Sequence, residues 1–172
     1  MRVSTLSGSA SPSASLTGSA SPSSLNELAE SELQAVQTFY RAFSDNKPDL
    51  LDEAVTPDWD DIPLAPGQGP GPDGFKPMLR AFVAAFPDLR IDVEDIIGSH
   101  GRVGVRAKIT GTQRGEFFGV PATNKRIAIA VHEFHELENG RIRRTWHLED
   151  WFGMLQQVGA WPPAPAAAES GR

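Results

Sequence analysis

Hydrophobic residues in the first half of the chain recur at the spacing of an α-helix. Three helices are predicted, over residues 26–46, 48–55 and 73–86, and prolines follow or end each of them. Residues 59–74 are dense in Pro and Gly and are predicted to form a loop. The apolar stripe of the first helix consists of Leu28, Leu33, Val36, Phe39, Tyr40 and Phe43.

From residue 89 onward the hydrophobic period changes to two, which is the period of a half-buried strand. Residues 89–94 and 103–109 alternate apolar and polar positions, and a wide loop over residues 111–125 follows. Helices followed by at least four antiparallel strands predict an α+β domain rather than βαβ repeats. Because one sheet with helices on one face must curl to cover them, we expect sheet and helices to enclose a small-molecule pocket.

Two strands within residues 126–150 are joined by Asn139-Gly140, the strongest short hairpin signal. A two-residue turn pairs Glu138 with Arg141, and counting outward from this pair assigns each side chain to a face. The predicted inner face is mostly large and apolar. Its polar and aromatic exceptions are Glu133, His135, Arg144, Trp146 and Asp150.

The polar groups on this inner face are candidates for acid/base chemistry. Burial raises the pKa of a carboxyl, and such a group can accept and donate protons in turn. In the structural alternative, Glu133 or His135 pairs with Arg144 in a satisfied buried network. For Asp150 the alternative is to cap the helical segment predicted over residues 151–159.

The predicted outer face carries His132 and His147 opposite each other, beside Phe134. Two imidazoles are too few for a specific metal site, so we expect no metal there. An outer face with these three residues favours a homodimer interface instead.

Composition restricts the function further. The 172 residues include no cysteine, which excludes disulfides and thiolate catalysis, and a net charge of −6 without a basic stripe argues against nucleic acid and anionic membranes. No apolar run approaches the roughly 18 residues that span a bilayer. Residues 1–24 and 161–172 are rich in small polar residues, Ala and Pro and lack a signal-peptide core. We therefore expect two disordered tails around one cytoplasmic domain over residues 25–160.

Three segments carry a resemblance to a known family. They are GTQRGEFFGVPATNKRI at residues 111–127, FHELENGRI at residues 134–142 and TWHLEDWFGMLQQVG at residues 145–159. They resemble the SnoaL-like polyketide cyclases, also called ester cyclases, of the NTF2-like superfamily, and the resemblance covers about residues 27–159. It implies a conical α+β barrel with three N-terminal helices packed on a curved antiparallel sheet.

The resemblance also implies an activity. These cyclases close a ring of an aromatic polyketide by intramolecular aldol condensation, without metal or organic cofactor, as in antibiotic biosynthesis. Asp150 matches the family's acid/base Asp, and Glu133 and His135 are expected to assist it. The substrate is expected to be small and hydrophobic, for example polycyclic. Its binding residues are expected to be Trp59, Phe117, Phe118, Arg144 and Trp146.

Three histidines that are common in relatives are replaced here by Glu133, Ile62 and Gln113. These replacements leave two alternatives to the cyclase open. One is an NTF2-like epoxide hydrolase or isomerase that uses Arg144 with Asp150 and Glu133, and an outward Arg144 would remove its support. The other is a non-catalytic ligand-binding protein, because fold alone does not fix function.

Overall fold

The computed structural model describes residues 26–161, so the predicted tails, apart from Trp161, lie outside the described residues. No helix within this range is long and apolar enough to cross a membrane. A 3-10 turn over Pro48–Leu50 leads directly into a short helix at Leu51–Ala54. The elements are β1 (Asn26–Glu27), α1 (Glu30–Ser44), α2 (Leu51–Ala54), β2 (Val55–Ile62), α3 (Gly71–Ala85), β3 (Arg90–Ser99), β4 (Arg102–Thr112), β5 (Arg126–Glu138), β6 (Arg141–Glu149) and α4 (Trp151–Val158).

Helix α1 begins at a capping interaction and buries most of its predicted apolar stripe, although Leu28 precedes the helix and Leu33 is only half-buried. The Glu32 carboxylate accepts a hydrogen bond from the backbone N–H of Ala29 at 2.9 Å, which satisfies a donor that the helix leaves free. Val36, Phe39 and Phe43 are buried. Helix α3 buries its apolar side in the same way, so both helices contribute one face to the core.

The strands form one curved sheet in the order β1-β3-β4-β5-β6-β2. The four strands β3 to β6 are antiparallel, and the short β1 and the edge strand β2 join them in parallel. The hydrophobic core lies between the helices and the inner face of this sheet. The predicted α+β class, with helices packed on a curved sheet, is confirmed.

Strand β2 corrects the prediction that a loop begins at residue 59. Asp61 and Ile62 pair with Thr145 and Trp146 of β6. Asp is disfavoured in strands and Pro57 is tolerated only because β2 is an edge strand, so local propensity hides this strand. Pairing with β6 supplies the hydrogen bonds that the local sequence does not predict.

A β-bulge changes the register of the hairpin formed by β5 and β6. Leu137 pairs with Ile142, as the turn predicts, but Glu136 pairs with Arg144 and Arg143 has no partner across the pair. One extra residue on β6 turns every later side chain of that strand to the opposite face. The pairs predicted beyond Ile142 are therefore wrong.

The bulge exchanges the two faces of β6. Thr145, His147 and Glu149 now share the inner side with Glu133 of β5, because Glu133 pairs with His147. The side chains predicted to point inward, Arg144 and Trp146, lie on the outer face instead. The side chains of β5 lie on the faces predicted for them, because the extra residue of the bulge is on β6.

Candidate functional site

A cavity of about 330 Å³ lies between the helices and the inner face of the sheet. Most of its wall is apolar. Aromatic rings from α1, α3, α4 and the segment between β4 and β5 contribute to it, among them Phe39, Phe82, Phe117, Phe118 and Trp151. A cavity of this kind, apolar with a few convergent polar groups, is typical of a small-molecule site.

The titratable groups of the cavity come from three strands that lie side by side. Asp61 comes from β2, Glu133 from β5, and His147 and Glu149 from β6. Asp61 is 4% exposed. Because β2 and β5 both flank β6 in the sheet, the order of strands brings these four titratable groups together.

His147 lies between two carboxylates. Its Nδ1 is 2.9 Å from Oε1 of Glu149, and its Nε2 is 3.4 Å from Oδ1 of Asp61. Nε2 also lies 3.0 Å from the carbonyl oxygen of Pro63.

Burial alone would lower the pKa of His147. The hydrogen bond and charge of Glu149, together with the charges of Asp61 and Glu133, outweigh burial and raise the pKa to about 9. Near neutral pH His147 is therefore a positively charged imidazolium, and both of its ring N–H groups donate hydrogen bonds.

Asp61 is a buried carboxyl with a shifted proton affinity. Burial, with smaller contributions from the nearby carboxylates Glu133 and Glu149, raises its pKa to about 6. The hydrogen bond from Gln68 and the positive charge of His147 oppose this rise. A pKa close to neutrality lets one group accept and return a proton at working pH.

Glu133 faces the cavity and is held from behind by a chain of hydrogen bonds. The Tyr40 hydroxyl donates to Oε2 of Glu133 and lies 3.1 Å from Nε2 of His135. At the other end, Nε1 of Trp59 donates to Oγ1 of Thr145 at 3.0 Å, and that hydroxyl lies 3.0 Å from Nδ1 of His135.

The directions of these bonds follow from the two ends of the chain. An indole N–H can only donate, and the Tyr40 proton is already used on Glu133. His135 therefore donates from Nε2 to the Tyr40 oxygen. Burial, followed by the charge of Glu133 and the hydrogen bond to it, raises the pKa of Tyr40 well above its usual value. Tyr40 thus remains a phenol donor.

Asp150, the expected acid/base residue, does not line the cavity. It is exposed and forms the N-cap of α4, where its Oδ1 accepts from the backbone N–H of Gly153 at 2.8 Å. The expectation of an inward Asp150 is wrong because the strand ends at Glu149 and the chain turns into the helix. The capping alternative is the one that the geometry supports.

Arg144 and Trp146, expected to bind substrate, lie on the outer face of the sheet. Arg144 forms ion pairs with Asp60 at 3.0 Å and with Glu136 at 3.4 Å. Its guanidinium lies 5.5 Å from the ring centre of Trp146, which is 37% exposed. The bulge at Arg143 is the physical reason for both corrections.

Of the other residues expected to bind substrate, one lies in the hydrophobic core and two line the cavity. Trp59 is buried in the core, and the cavity wall does not include it. Phe117 and Phe118 do line the cavity, with ring centres 4.2 Å apart. His135 is buried behind Glu133 and does not face the cavity.

The two histidines expected to lie opposite each other point to different faces. His132 pairs with Leu148 on the outer face, whereas His147 points inward. They cannot share a metal ion. The prediction of an outer-facing His147 is wrong for the same reason as that of an inner-facing Trp146.

Sequence reasoning missed Asp61, His147 and Glu149 as a group. Asp60 and Asp61 are the same residue type, so the alternating exposure that marks β2 as a strand is visible only in the structure. No local signal marks the bulge that turns His147 and Glu149 inward.

Comparison with known proteins places these features in a family. The chain matches the SnoaL-like polyketide cyclase family over residues 34–158. No curated protein sequence matches it.

Solved structures support the same fold. TsrD from Streptomyces laurentii has a TM-score of 0.71 at 24% identity, covering 78% of this chain and 99% of its own. IdmH, a proposed polyketide cyclase from Streptomyces antibioticus, has a TM-score of 0.65 at 27% identity, covering 74% and 98%.

A proposed polyketide cyclase from Bacillus cereus ATCC 10987 has a TM-score of 0.66 at 27% identity, covering 75% of this chain and 80% of its own. The family match spans more than half of the chain and includes every residue that lines the cavity. The chain belongs to the SnoaL-like polyketide cyclase family.

Proposed function

We propose that this chain is a cofactor-independent enzyme that performs aldol-type acid/base chemistry on a small, largely apolar carbonyl compound of the polyketide kind. The observation that carries the proposal is the contact between Asp61 and His147 in the polar region of an apolar cavity. Two groups with opposite charge and shifted pKa values stand side by side where a substrate would bind.

The two groups suit the two halves of a ring closure. The Asp61 carboxylate removes a proton from the carbon next to a substrate carbonyl, and the imidazolium of His147 stabilises the negative charge that develops on oxygen. The resulting carbanion attacks a second carbonyl carbon, and a C–C bond forms. The new alkoxide then takes back a proton from the Asp61 carboxyl, which returns the enzyme to its starting state.

Glu133 and His135, expected from the sequence to be catalytic, have different parts in this proposal. Glu133 is a second carboxyl at the cavity wall, close enough to contribute to the proton affinity of Asp61. His135 acts through Tyr40 and orients Glu133, so it is a positioning residue.

The composition of the cavity wall favours an uncharged, hydrophobic substrate. Within the described residues, no Lys or Arg lines the cavity, whereas aromatic rings contribute much of its surface. A volume of about 330 Å³ is at the lower end for ligand pockets. We therefore expect a compact, ring-containing molecule rather than an extended chain.

Proton exchange at the carbon next to a carbonyl tests the proposal without knowledge of the natural substrate. NMR in D₂O follows this exchange for a panel of small aromatic ketones and β-keto esters. The wild-type chain is expected to accelerate exchange for part of the panel. Asp61→Asn is expected to lower the rate by about a hundredfold or more, because an amide cannot accept the proton.

Asp150→Asn is the matched control. Asn caps a helix about as well as Asp, so the variant is expected to keep both the exchange rate and the melting temperature. Loss of exchange in Asp150→Asn together with full exchange in Asp61→Asn would overturn the assignment. Binding of the panel by the wild type without any exchange would favour the non-catalytic alternative.

The epoxide hydrolase alternative has less support than the cyclase. It requires Arg144 beside the acidic groups of the cavity. Arg144 instead pairs with Asp60 and Glu136 on the outer face.

We also propose a homodimer that forms through the outer face of the sheet. Phe134 is 64% exposed and Leu148 is 74% exposed on this face. Contiguous exposed apolar residues are typical of an interaction surface. Cytoplasmic location remains a prediction of the sequence.

A further inference from the structure

The loop that follows β2 contains a rigid turn whose last residue contacts Asp61. Residues 65–68 read Ala-Pro-Gly-Gln, and the backbone N–H of Gln68 donates to the carbonyl oxygen of Ala65 at 2.9 Å. Gly67 has a φ of 82°, which is the left-handed conformation that the third position of a type II turn requires. Pro66 presets the second position, so the turn holds Gln68 in a defined place.

The orientation of the Gln68 side-chain amide follows from its neighbours. The backbone N–H of Ala65 can only donate, and it lies 3.0 Å from Oε1 of Gln68. The amide oxygen is therefore the acceptor for Ala65. The NH₂ group must point the other way, and Nε2 donates to Oδ2 of Asp61 at 2.7 Å.

This contact makes the two oxygens of Asp61 unequal. Oδ2 already accepts a hydrogen bond from Gln68, which makes it the less favourable of the two oxygens for a proton. Oδ1 lies 3.4 Å from Nε2 of His147, which is longer than a good N–H···O bond. That N–H has the carbonyl oxygen of Pro63 at 3.0 Å instead. No hydrogen bond within residues 26–161 engages Oδ1.

We propose that Gln68 is a positioning residue that reserves Oδ2 of Asp61 as an acceptor and leaves Oδ1 as the oxygen that exchanges protons with the substrate. This inference rests on the proposed acid/base role of Asp61. The inference goes further in two ways. It names Oδ1 as the Asp61 oxygen that transfers the proton, and it names Gln68 as the residue that makes the two oxygens different.

Gln68 also counteracts the groups that favour the protonated carboxyl. Burial and the carboxylates Glu133 and Glu149 raise the pKa of Asp61, whereas Gln68 and His147 lower it. A donor to the ionised form stabilises that form. Without Gln68, a larger fraction of Asp61 would be protonated at neutral pH, and a smaller fraction could act as a base.

A substrate-free NMR titration measures this effect directly. The wild-type protein is labelled with ¹³C at Asp and ¹⁵N at Gln, and Asp61→Asn identifies the Asp61 signal by its absence. We expect the Asp61 carboxyl to titrate with a midpoint near the pKa of about 6. The side-chain amide signals of Gln68 should follow the same midpoint, because they donate to that carboxyl. This part needs no folded variant of Gln68.

Gln68→Leu is the test variant, and its Asp61 midpoint is expected to rise by about one pH unit. Gln157→Leu is the matched control, since Gln157 also makes two hydrogen bonds, both to the backbone of Ala128 and away from the cavity. It is expected to leave the Asp61 midpoint unchanged.

Two results would overturn the inference. One is a wild-type Gln68 amide that does not sense the Asp61 titration, and the other is an unchanged midpoint in a folded Gln68→Leu variant. The proposed function fails separately. If Gln68→Leu shifts the midpoint but Asp61→Asn retains substrate proton exchange, Gln68 positions Asp61 and Asp61 is not the catalytic base.

Discussion

At the scale of single residues, the candidate site depends on charges that stabilise one another in a buried place. The imidazolium of His147 is held by Glu149 and by the nearby Asp61. Taking such groups out of water is costly unless each has a partner. The polar region therefore behaves as one unit, and the protonation of His147 contributes to the stability of the fold.

The pH dependence of stability tests this coupling. The pKa of His147 is about 9 in the folded chain against an ordinary value of 6.5, so the folded state binds this proton more tightly than the unfolded state. Its stabilising effect is complete below about pH 6.5 and is lost as the pH rises through about 9. The loss should amount to about 3 kcal/mol of unfolding free energy.

Urea unfolding near pH 6 and again near pH 9.5 measures that loss. His147→Gln is expected to lack the difference that the wild type shows between these two conditions. His132→Gln, on the exposed outer face, should retain it and serves as the control. If the unfolding free energies of the wild type and of His147→Gln changed equally with pH, the imidazolium of His147 would not stabilise the fold.

At the scale of elements, two local devices decide which side chains reach the cavity. The first is the bulge on β6, and the second is the cap of α4. In the cap, a Cβ atom added at Gly153 would come within 2.1 Å of the Asp150 carboxylate, so the glycine leaves room for the capping group. The Asp-x-x-Gly pattern of this segment is thus explained by helix capping.

Deletion of Arg143 tests the bulge. Removing one residue forces Thr145 and His147 toward the outer face or breaks the pairing with β5, so we expect a loss of about 3 kcal/mol or more. Arg143→Ala keeps the chain length and removes only a surface ion pair with Glu138, so it should cost less than about 1 kcal/mol.

Urea denaturation of the two Arg143 variants gives both free energies. Equal midpoints for the deletion and for Arg143→Ala would show that the register tolerates the missing residue. The cavity would then not depend on the bulge.

At the scale of the whole molecule, a row of neighbouring residues, mostly apolar, runs across the strands on the outer face of the sheet. Ile97 pairs with Gly104, Gly104 with Phe134, and Phe134 with Trp146, so the row crosses the four strands β3 to β6. An ion-paired row runs beside it through Glu136. An apolar centre with a charged border is the usual composition of a protein–protein interface.

Light scattering coupled to size-exclusion chromatography tests the proposed dimer. We expect the wild type to have twice the mass of one chain, and Phe134→Glu to shift it toward the mass of one chain, because a buried unpaired carboxylate is costly. Phe152→Glu changes an exposed phenylalanine on α4 in the same way and should leave the mass unchanged. A monomeric wild type would contradict the proposal.

The fold could be predicted well from the sequence, and the site only in part. Periodicity identified the helical stripes and the inner side of β5, including Glu133. Phe117 and Phe118, which were expected to bind substrate, line the cavity, whereas Asp61 and His147 were missed as site residues. The stripes and Glu133 follow from local periodicity and the two phenylalanines from a family motif, whereas Asp61 and His147 depend on pairing between distant strands.

The sequence by itself determined the α+β class, the family, the Asn139-Gly140 turn and the first pairs beyond it, because these depend on residue type and short-range spacing. Only the tertiary structure decided that β2 joins β6 and that Arg143 forms a bulge. A bulge leaves one residue unpaired and depends on how two whole strands align, so a local pattern does not reveal it. That shift of one residue selects His147 rather than Trp146 for the cavity.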